Sequence, residues 1–417
     1  MKSSRAWSLV GVSLLASLVI PVSTAHAQSG DCLAARPVTD VEQQRLADPR
    51  TGQLIAKGGL SGFVERFPAA LCAVRSAPEA AGLVTAWGSA LFESAVRRAQ
   101  AAAPSGGLAA GDDRPLYWTR LALDGQLDRW QPGFAVDRAA VRQRFEDASR
   151  GLTGNDFRGA LGVRRLFISG FDPFGLDAEL RRANPSGSVA LALNGRRLAL
   201  ADGQRVEIRA VVLPVRYADF DRGIVERAFG RRMAPGPRAA DRITTISQGY
   251  PGKFTLEAWA GRARSADPYP DNLGALSGGT YQHPVVAPGM GPGAQFIATS
   301  LPTAAMTAAA QAPWPVLLNT QVSEIPAGGT GTVDRADGPT PGSTAVAGGG
   351  GGYLSNEVAY RSNRLRLELR PEIPGGHLHT PVLTGLPANP QALTGPEFEA
   401  NEAGIRAEVL TVLEAGW

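Results

Sequence analysis

"RRLFISGF", Arg164 to Phe171, is the stretch on which the fold turns. Two arginines lead into a short apolar run that closes on a glycine and a phenylalanine. Such a run, bounded by charge and a turn former, reads as a strand buried on both faces. The same pattern returns in "RVEIRAVVLPV" (Arg205–Val215), "RITTISQGY" (Arg242–Tyr250), "PWPVLLNTQV" (Pro313–Val322) and "HLHTPVLTG" (His377–Gly385). Helical stretches fall between them, at Val189–Asn194 and Phe220–Phe229. Strands alternating with helices predict an α/β domain over residues 160–417, with a mostly parallel central sheet flanked by helices. Residues 324–347 are rich in Gly, Pro, Thr and Ser without an apolar period, and are expected to form a flexible insertion.

Upstream the chain changes character. Residues 28–155 are expected to be mainly α-helical, because Phe67–Ala103 and Asp137–Leu152 place apolar residues at helical spacing among Ala, Leu and Arg. Pro104–Gly107 breaks the first stretch. No chemical constellation stands out there, so a cap, an interaction module and a folding aid all remain open.

The 417 residues suffice for two domains, and 44% apolar with 19% charged residues is the composition of a globular chain. With 50 Gly and 31 Pro, many loops are expected. A formal charge of +4 is small for this length, and no Lys/Arg run is interleaved with aromatics, which argues against nucleic acid as a partner.

The first residues point to export. Lys2 and Arg5 form a basic start, Ser8–Val22 is a short apolar run, and Ala25-His26-Ala27 offers small residues where a signal peptidase reads. Residues 1–27 are expected to be a signal peptide, with Gln28 the new N-terminus and a membrane anchor as the competing reading. The apolar run is short for a membrane span of roughly 20 residues, so no stable membrane insertion is expected and the mature chain is read as periplasmic or secreted. Cys32 and Cys72 are the two cysteines of the chain. In an oxidising compartment they are most simply one disulfide, with two free thiols or a metal pair as the alternative.

In the second half, five glycines, Gly348–Gly352, run into "YLSNEVAYRSN". No Gly-Lys-Ser/Thr follows them, so a phosphate cradle fits poorly. Ser355 stands where a glycine run meets a helix-like segment. There a nucleophile would gain backbone N–H donors and the positive helix end, while a plain helix N-cap is the competing reading. His283 lies in a loop. His377 and His379 share one face if their segment is a strand, and either suits a general base.

These pieces together resemble the type I pyroglutamyl peptidases (pyrrolidone-carboxylate peptidases). The resemblance is carried by "LFISGFDPFG" with "NPSGSVALALNG", then "VVLPVRYADF", "ISQGYPGKFTLEAWA", "YPDNLG", "FIATSLP", "GGYLSNEVAY" and "HLHTP", in the family's order across residues 163–417. It implies a hydrolase that removes an N-terminal pyroglutamyl or similarly capped residue from a small peptide, with no metal or cofactor. The catalytic residues it implies are Ser355, His379 and Glu257. Phe171 and Phe174 would flank the flat lactam ring, and Asn184 and Gln248 would meet its amides. Two departures stand out: Ser355 replaces the family's cysteine, and Ala258 and Arg262 replace an arginine and an asparagine near Glu257. A catalytically inactive relative that binds capped peptide termini is the alternative, and a homo-oligomer stays open.

Overall fold

The computed structural model describes residues 32–35, 37–103, 106–236 and 238–417. The expected signal segment lies outside the described residues. The helical region comprises α1 (Val41–Gln44), α2 (Pro49–Lys57), α3 (Ser61–Ala73), α4 (Ala77–Ala99), α5 (Arg114–Arg129) and α6 (Arg138–Ser149). The Phe67–Ala103 stretch is therefore two helices and not one. Ser76 ends the interruption as an N-cap: its Oγ accepts from Glu79 N at 3.4 Å, while Glu79 Oε2 accepts from Arg75 N at 2.8 Å. This reciprocal cap, followed by Pro78 in the first turn, restarts the helix after Val74 turns extended. Cys32 and Cys72 form a disulfide that ties the start of the described chain to α3.

The remaining chain builds the α/β part. Its elements are β1 (Val163–Phe171), α7 (Pro185–Leu193), β2 (Arg197–Ala199), β3 (Arg205–Leu213), α8 (Tyr217–Asp221), α9 (Ile224–Met233), β4 (Arg242–Gln248), β5 (Phe254–Glu257), β6 (Trp259–Gly261), β7 (Ala263–Arg264), β8 (Val285–Val286), β9 (Phe296–Ala298), α10 (Thr303–Ala308), β10 (Val316–Asn319), β11 (Val322–Ile325), β12 (Val333–Arg335), β13 (Thr344–Ala347), α11 (Leu354–Leu369), β14 (Gly375–Thr380) and α12 (Pro396–Glu414). The central seven-stranded sheet runs β10-β5-β14-β4-β1-β3-β2. β14, β4, β1 and β3 are parallel, β5 is antiparallel to β14 and parallel to β10, and β2 is an antiparallel edge. The five expected strands are all present, in a mixed sheet of mostly parallel strands flanked by helices.

Four differences from the expectations have physical reasons. The Phe220–Phe229 helix is split into α8 and α9 by Gly223, whose φ of +75° suits glycine best. Residues 324–347 are not an unpatterned insertion: β12, β11 and β13 pair antiparallel as a separate three-stranded sheet. Glu324 anchors that sheet, buried and bonded to Arg335 Nε at 2.8 Å and to Thr340 N at 2.7 Å. β5 was not foreseen, because its four residues are too short to show a period. Nor was α5, whose charged Arg114, Arg120 and Asp124 interrupt the apolar spacing although all three are buried.

Helix α5 explains how the two regions hold together. It is buried nearly all round, so it lies inside the molecule and not on its surface. One hydrophobic core joins Leu91, Trp118 and Leu127 of the helical region to Leu166, Ile208 and Val412 of the α/β part. Arg120 reaches across to Asp172 at 2.8 Å, and Arg150, after α6, reaches the same carboxylate at 2.5 Å.

Candidate active site

The C-terminal ends of β1, β3 and β4 lie on one edge of the sheet, as their parallel pairing requires. The chain leaves β1 for β3 on one side and returns to β4 on the other. Such a switch in strand order opens a crevice at the carboxyl ends. A pocket of about 300 Å³ sits there, lined by Phe171 and Phe174 after β1, Asn184 before α7, Val215 after β3, Gln248 at the end of β4, and Ser355. All four residues expected to hold a substrate thus line one pocket with the expected nucleophile.

Their surroundings differ. Phe171 is buried and stacks on Phe220, with centroids 6.1 Å apart and planes 6° apart. Phe174 is only partly covered. Asn184 is already engaged: Oδ1 accepts from Ser186 N and Oγ at 3.1 and 2.8 Å, and Nδ2 donates to Asp172 O at 3.0 Å. It caps α7 and braces the phenylalanine turn. Gln248 Oε1 accepts from Leu383 N at 3.3 Å, and its Nε2 has no partner among the described residues.

His379 and Glu257 are joined directly. His379 Nδ1 donates to Glu257 Oε1 at 2.7 Å, with both side chains buried. The other Glu257 oxygen accepts from Asn319 Nδ2 at 2.7 Å, and Thr255 Oγ1 donates to Oε1 at 2.5 Å. Antiparallel pairing of β5 with β14 sets Thr255 opposite His379 and puts Thr255 and Glu257 on the same face. Asn319 and Thr255 are parts of the site that sequence reasoning missed. Asn319 lies at the end of an expected strand, but nothing local marks it as the partner of a glutamate 62 residues earlier. Among the described residues no arginine pairs with Glu257: Ala258 follows it, and Arg262 donates to Gly291 O instead.

The two histidines differ in their partners. His377 has both ring nitrogens occupied, Nδ1 by Thr245 Oγ1 at 2.7 Å and Nε2 by Ser247 Oγ at 2.8 Å. Burial, reinforced by the neighbouring His379 ring, holds its pKa well below the usual imidazole range. His379 Nε2 has no hydrogen-bond partner among the described residues.

Ser355 is the second residue of α11, whose N-cap is Tyr353 and has no side-chain cap bond. The competing reading of Ser355 as an N-cap is therefore set aside. The N–H groups of Ser355 and Asn356 meet no acceptor among the described residues, as expected for an uncapped first turn. No hydrogen bond joins Ser355 to His379, however. Ser355 Oγ donates to Gly350 O at 3.0 Å. Gly350 lies between the two: its carbonyl accepts from Ser355, and a Cβ added to it would stand 3.0 Å from His379 Cε1.

The glycine run now has its explanation. A Cβ at Gly349 would fall 2.2 Å from Glu257 Oε2, so the strip can pass the carboxylate only without side chains. Gly349 O also accepts from Asn319 Nδ2 at 2.9 Å, which ties the strip to the group that holds Glu257.

The model of the PA0049 N-terminal domain matches residues 24–147, and that of the PA0049 C-terminal domain matches residues 165–283 and 316–384. An uncharacterized protein of Pseudomonas aeruginosa, PA0049, is 35% identical over 88% of this chain and 84% of its own length. Solved structures similar to this chain include a mutant pyrrolidone carboxyl peptidase from Pyrococcus furiosus (19% identity, 60% of this chain, 97% of that chain, TM-score 0.38). Pyroglutamyl peptidase I from Bacillus amyloliquefaciens is similar over the same shares, at 18% identity and a TM-score of 0.38. Among the described residues no group of His, Cys, Asp and Glu is placed to hold a metal ion, and no helix is long and apolar enough to cross a membrane. With both domain models matched in order and PA0049 aligned over most of either chain, this protein belongs to the PA0049 family.

Proposed function

We propose that the protein is an exported serine hydrolase that removes an N-terminal pyroglutamyl or similarly capped residue from peptides. The observation that carries this reading is the buried Glu257–His379 pair at 2.7 Å, with His379 Nε2 unpartnered beside the strip that holds Ser355. A carboxylate on Nδ1 fixes the tautomer that leaves Nε2 free to accept a proton. Ser355 Oγ turns about χ1 from Gly350 O toward Nε2 and attacks the amide carbonyl carbon as its proton passes to His379. The N–H groups of Ser355 and Asn356 stabilise the oxyanion. His379 returns the proton to the leaving amine as the C–N bond breaks, leaving an ester on Ser355. Water then attacks the ester carbonyl and gives a proton to His379, which passes it to Ser355 Oγ as the ester C–O bond breaks and the acid leaves. The pocket between Phe171 and Phe174 suits a flat, uncharged ring, with Gln248 Nε2 available as a donor. Serine and the paired cysteines suit an oxidising compartment, where a free thiol would be lost to oxidation.

One observation favours a second reading, a non-catalytic binder of capped termini: Ser355 Oγ is engaged by Gly350 O and not by His379. The two are separated by following fluorophore release from a pyroglutamyl amide with the wild-type chain, Ser355→Ala and His379→Ala. Turnover lost in both variants is the expected result. Unchanged turnover in Ser355→Ala would sink the triad, and saturable binding without turnover in any variant would favour the binder.

A further inference from the structure

On the far side of the glycine strip the surface falls into an open hollow of about 780 Å³, lined by Tyr250, Asn319, Gln321, Ser323 and the glycines themselves. An adjoining hollow of about 880 Å³ shares Tyr250, Asn319, Gln321 and Ala336 with it and continues to Leu317 and Leu318. Those two leucines are 45% and 44% exposed. The two hollows make one trench, and one wall of it is the β11–β12–β13 sheet.

The trench begins at the reactive groups. The Tyr250 ring stands edge-on to His379, with centroids 6.4 Å apart. Asn319 holds both Glu257 and Gly349, and the adjacent Gly350 holds Ser355 Oγ. The aromatic pocket and the trench share no lining residue, but the glycine strip and the Glu257–His379 pair connect them, through Ser355 on the pocket side and through Asn319 and Tyr250 on the trench side. The pocket is small, and a peptide held in it by its capped end would extend beyond it. The trench is the hollow that opens there.

Its chemistry suits a main chain. Asn319, Gln321 and Ser323 are neutral; Asn319 and Ser323 already have protein partners, and the Gln321 side-chain amide has none among the described residues, while Lys253 and Asp337 add one charge of each sign toward Leu317 and Leu318. Asp334 is tied to Tyr281 Oη at 2.5 Å and Ser323 Oγ at 2.7 Å, and Arg335 to Glu324. An extended peptide presents alternating N–H and C=O groups without fixed charge, which such a lining can satisfy. Leu317 and Leu318 offer an apolar surface to a side chain further along.

We propose that the trench binds the peptide chain on the leaving side of the scissile bond, so that the substrate class is capped peptides of several residues and not small capped amides. This rests on the reading of the site as a hydrolase for capped termini. The test compares kcat/KM for a pyroglutamyl aminocoumarin amide with that for a pyroglutamyl pentapeptide, in the wild-type chain, Ala336→Trp and Gln321→Trp. Both positions are exposed, so the fold has room for the indole. The wild-type chain is expected to prefer the pentapeptide by about tenfold or more, and each variant to lower that preference by about tenfold. Equal handling of the two substrates by the wild-type chain, or a preference that neither variant moves, overturns the trench and leaves the triad standing. Calorimetric titration of Ser355→Ala with both compounds covers the case without turnover. Tighter pentapeptide binding that Ala336→Trp abolishes supports the trench while the triad fails, and no binding of either compound overturns both.

Discussion

Arg150 Nη1 lies 2.5 Å from Asp172 Oδ2, joining the helical region to the turn that carries Phe171 and Phe174. Arg120 binds the other oxygen of the same carboxylate at 2.8 Å, and all three side chains are buried. Removing one member of a buried ion network leaves uncompensated charge and costs about 3–5 kcal/mol. Asp172→Asn is therefore expected to lower the thermal midpoint strongly, as read by calorimetry. Residues 156–417 expressed alone are expected to give no cooperative unfolding transition. A cooperative transition from that fragment would show that the helical region is dispensable for folding.

Glu257→Gln tests the orienting role of the carboxylate. The amide keeps the shape and the Asn319 neighbourhood but no longer holds His379 in the tautomer with Nε2 free. On the proposed mechanism kcat falls about 10³–10⁴-fold while KM changes little. Steady-state kinetics on the pyroglutamyl amide give the answer, and a variant with near wild-type kcat contradicts the role.

Two glycines of one strip should respond differently to alanine. At Gly349 the new methyl meets the Glu257 carboxylate at 2.2 Å, so the site must shift, at about 1–3 kcal/mol, with activity lost alongside. At Gly351 nothing lies within 4 Å, and the cost is the positive φ of +82°, about 1–2 kcal/mol. Gly351→Ala should keep most of its kcat while Gly349→Ala does not. Thermal midpoints together with activities distinguish the two.

Glu402 carries a pH dependence. Burial, aided by the Asp112 charge, raises its pKa from 4.5 to about 7, and one oxygen accepts from Ser188 Oγ at 2.8 Å. The folded value is the higher one, so the unfolded chain releases this proton first as pH rises. Stability from the protonated form is complete below about pH 4.5, declines up to about pH 7 and stays low above it. Glu402→Gln removes the ionisation. Relative to the wild-type chain it should gain about 3 kcal/mol between pH 4 and pH 8, measured by denaturant unfolding at both values. An offset between the two chains that does not change with pH would contradict this.

The strands at Arg164–Phe171, Arg205–Leu213, Arg242–Gln248 and His377–Thr380 were legible from residue order alone, because a strand buried on both faces needs an unbroken apolar run. The order of short motifs pointed to Ser355, His379 and Glu257 and to Phe171, Phe174, Asn184 and Gln248; the fold pairs His379 with Glu257 and lines one pocket with the other five. Helix α5 was hidden, since Arg114, Arg120 and Asp124 look solvent-facing until their partners are known. The ordering of residues 322–347 was hidden too, because short antiparallel strands gain stability from their neighbours more than from their own composition. Only the tertiary structure distinguished the histidines, by giving His377 two hydroxyl partners and His379 a carboxylate. It also decided what the glycines are for. Their need is set by Glu257, 92 positions away from Gly349 in the chain, and close approach between distant segments leaves no trace in local sequence.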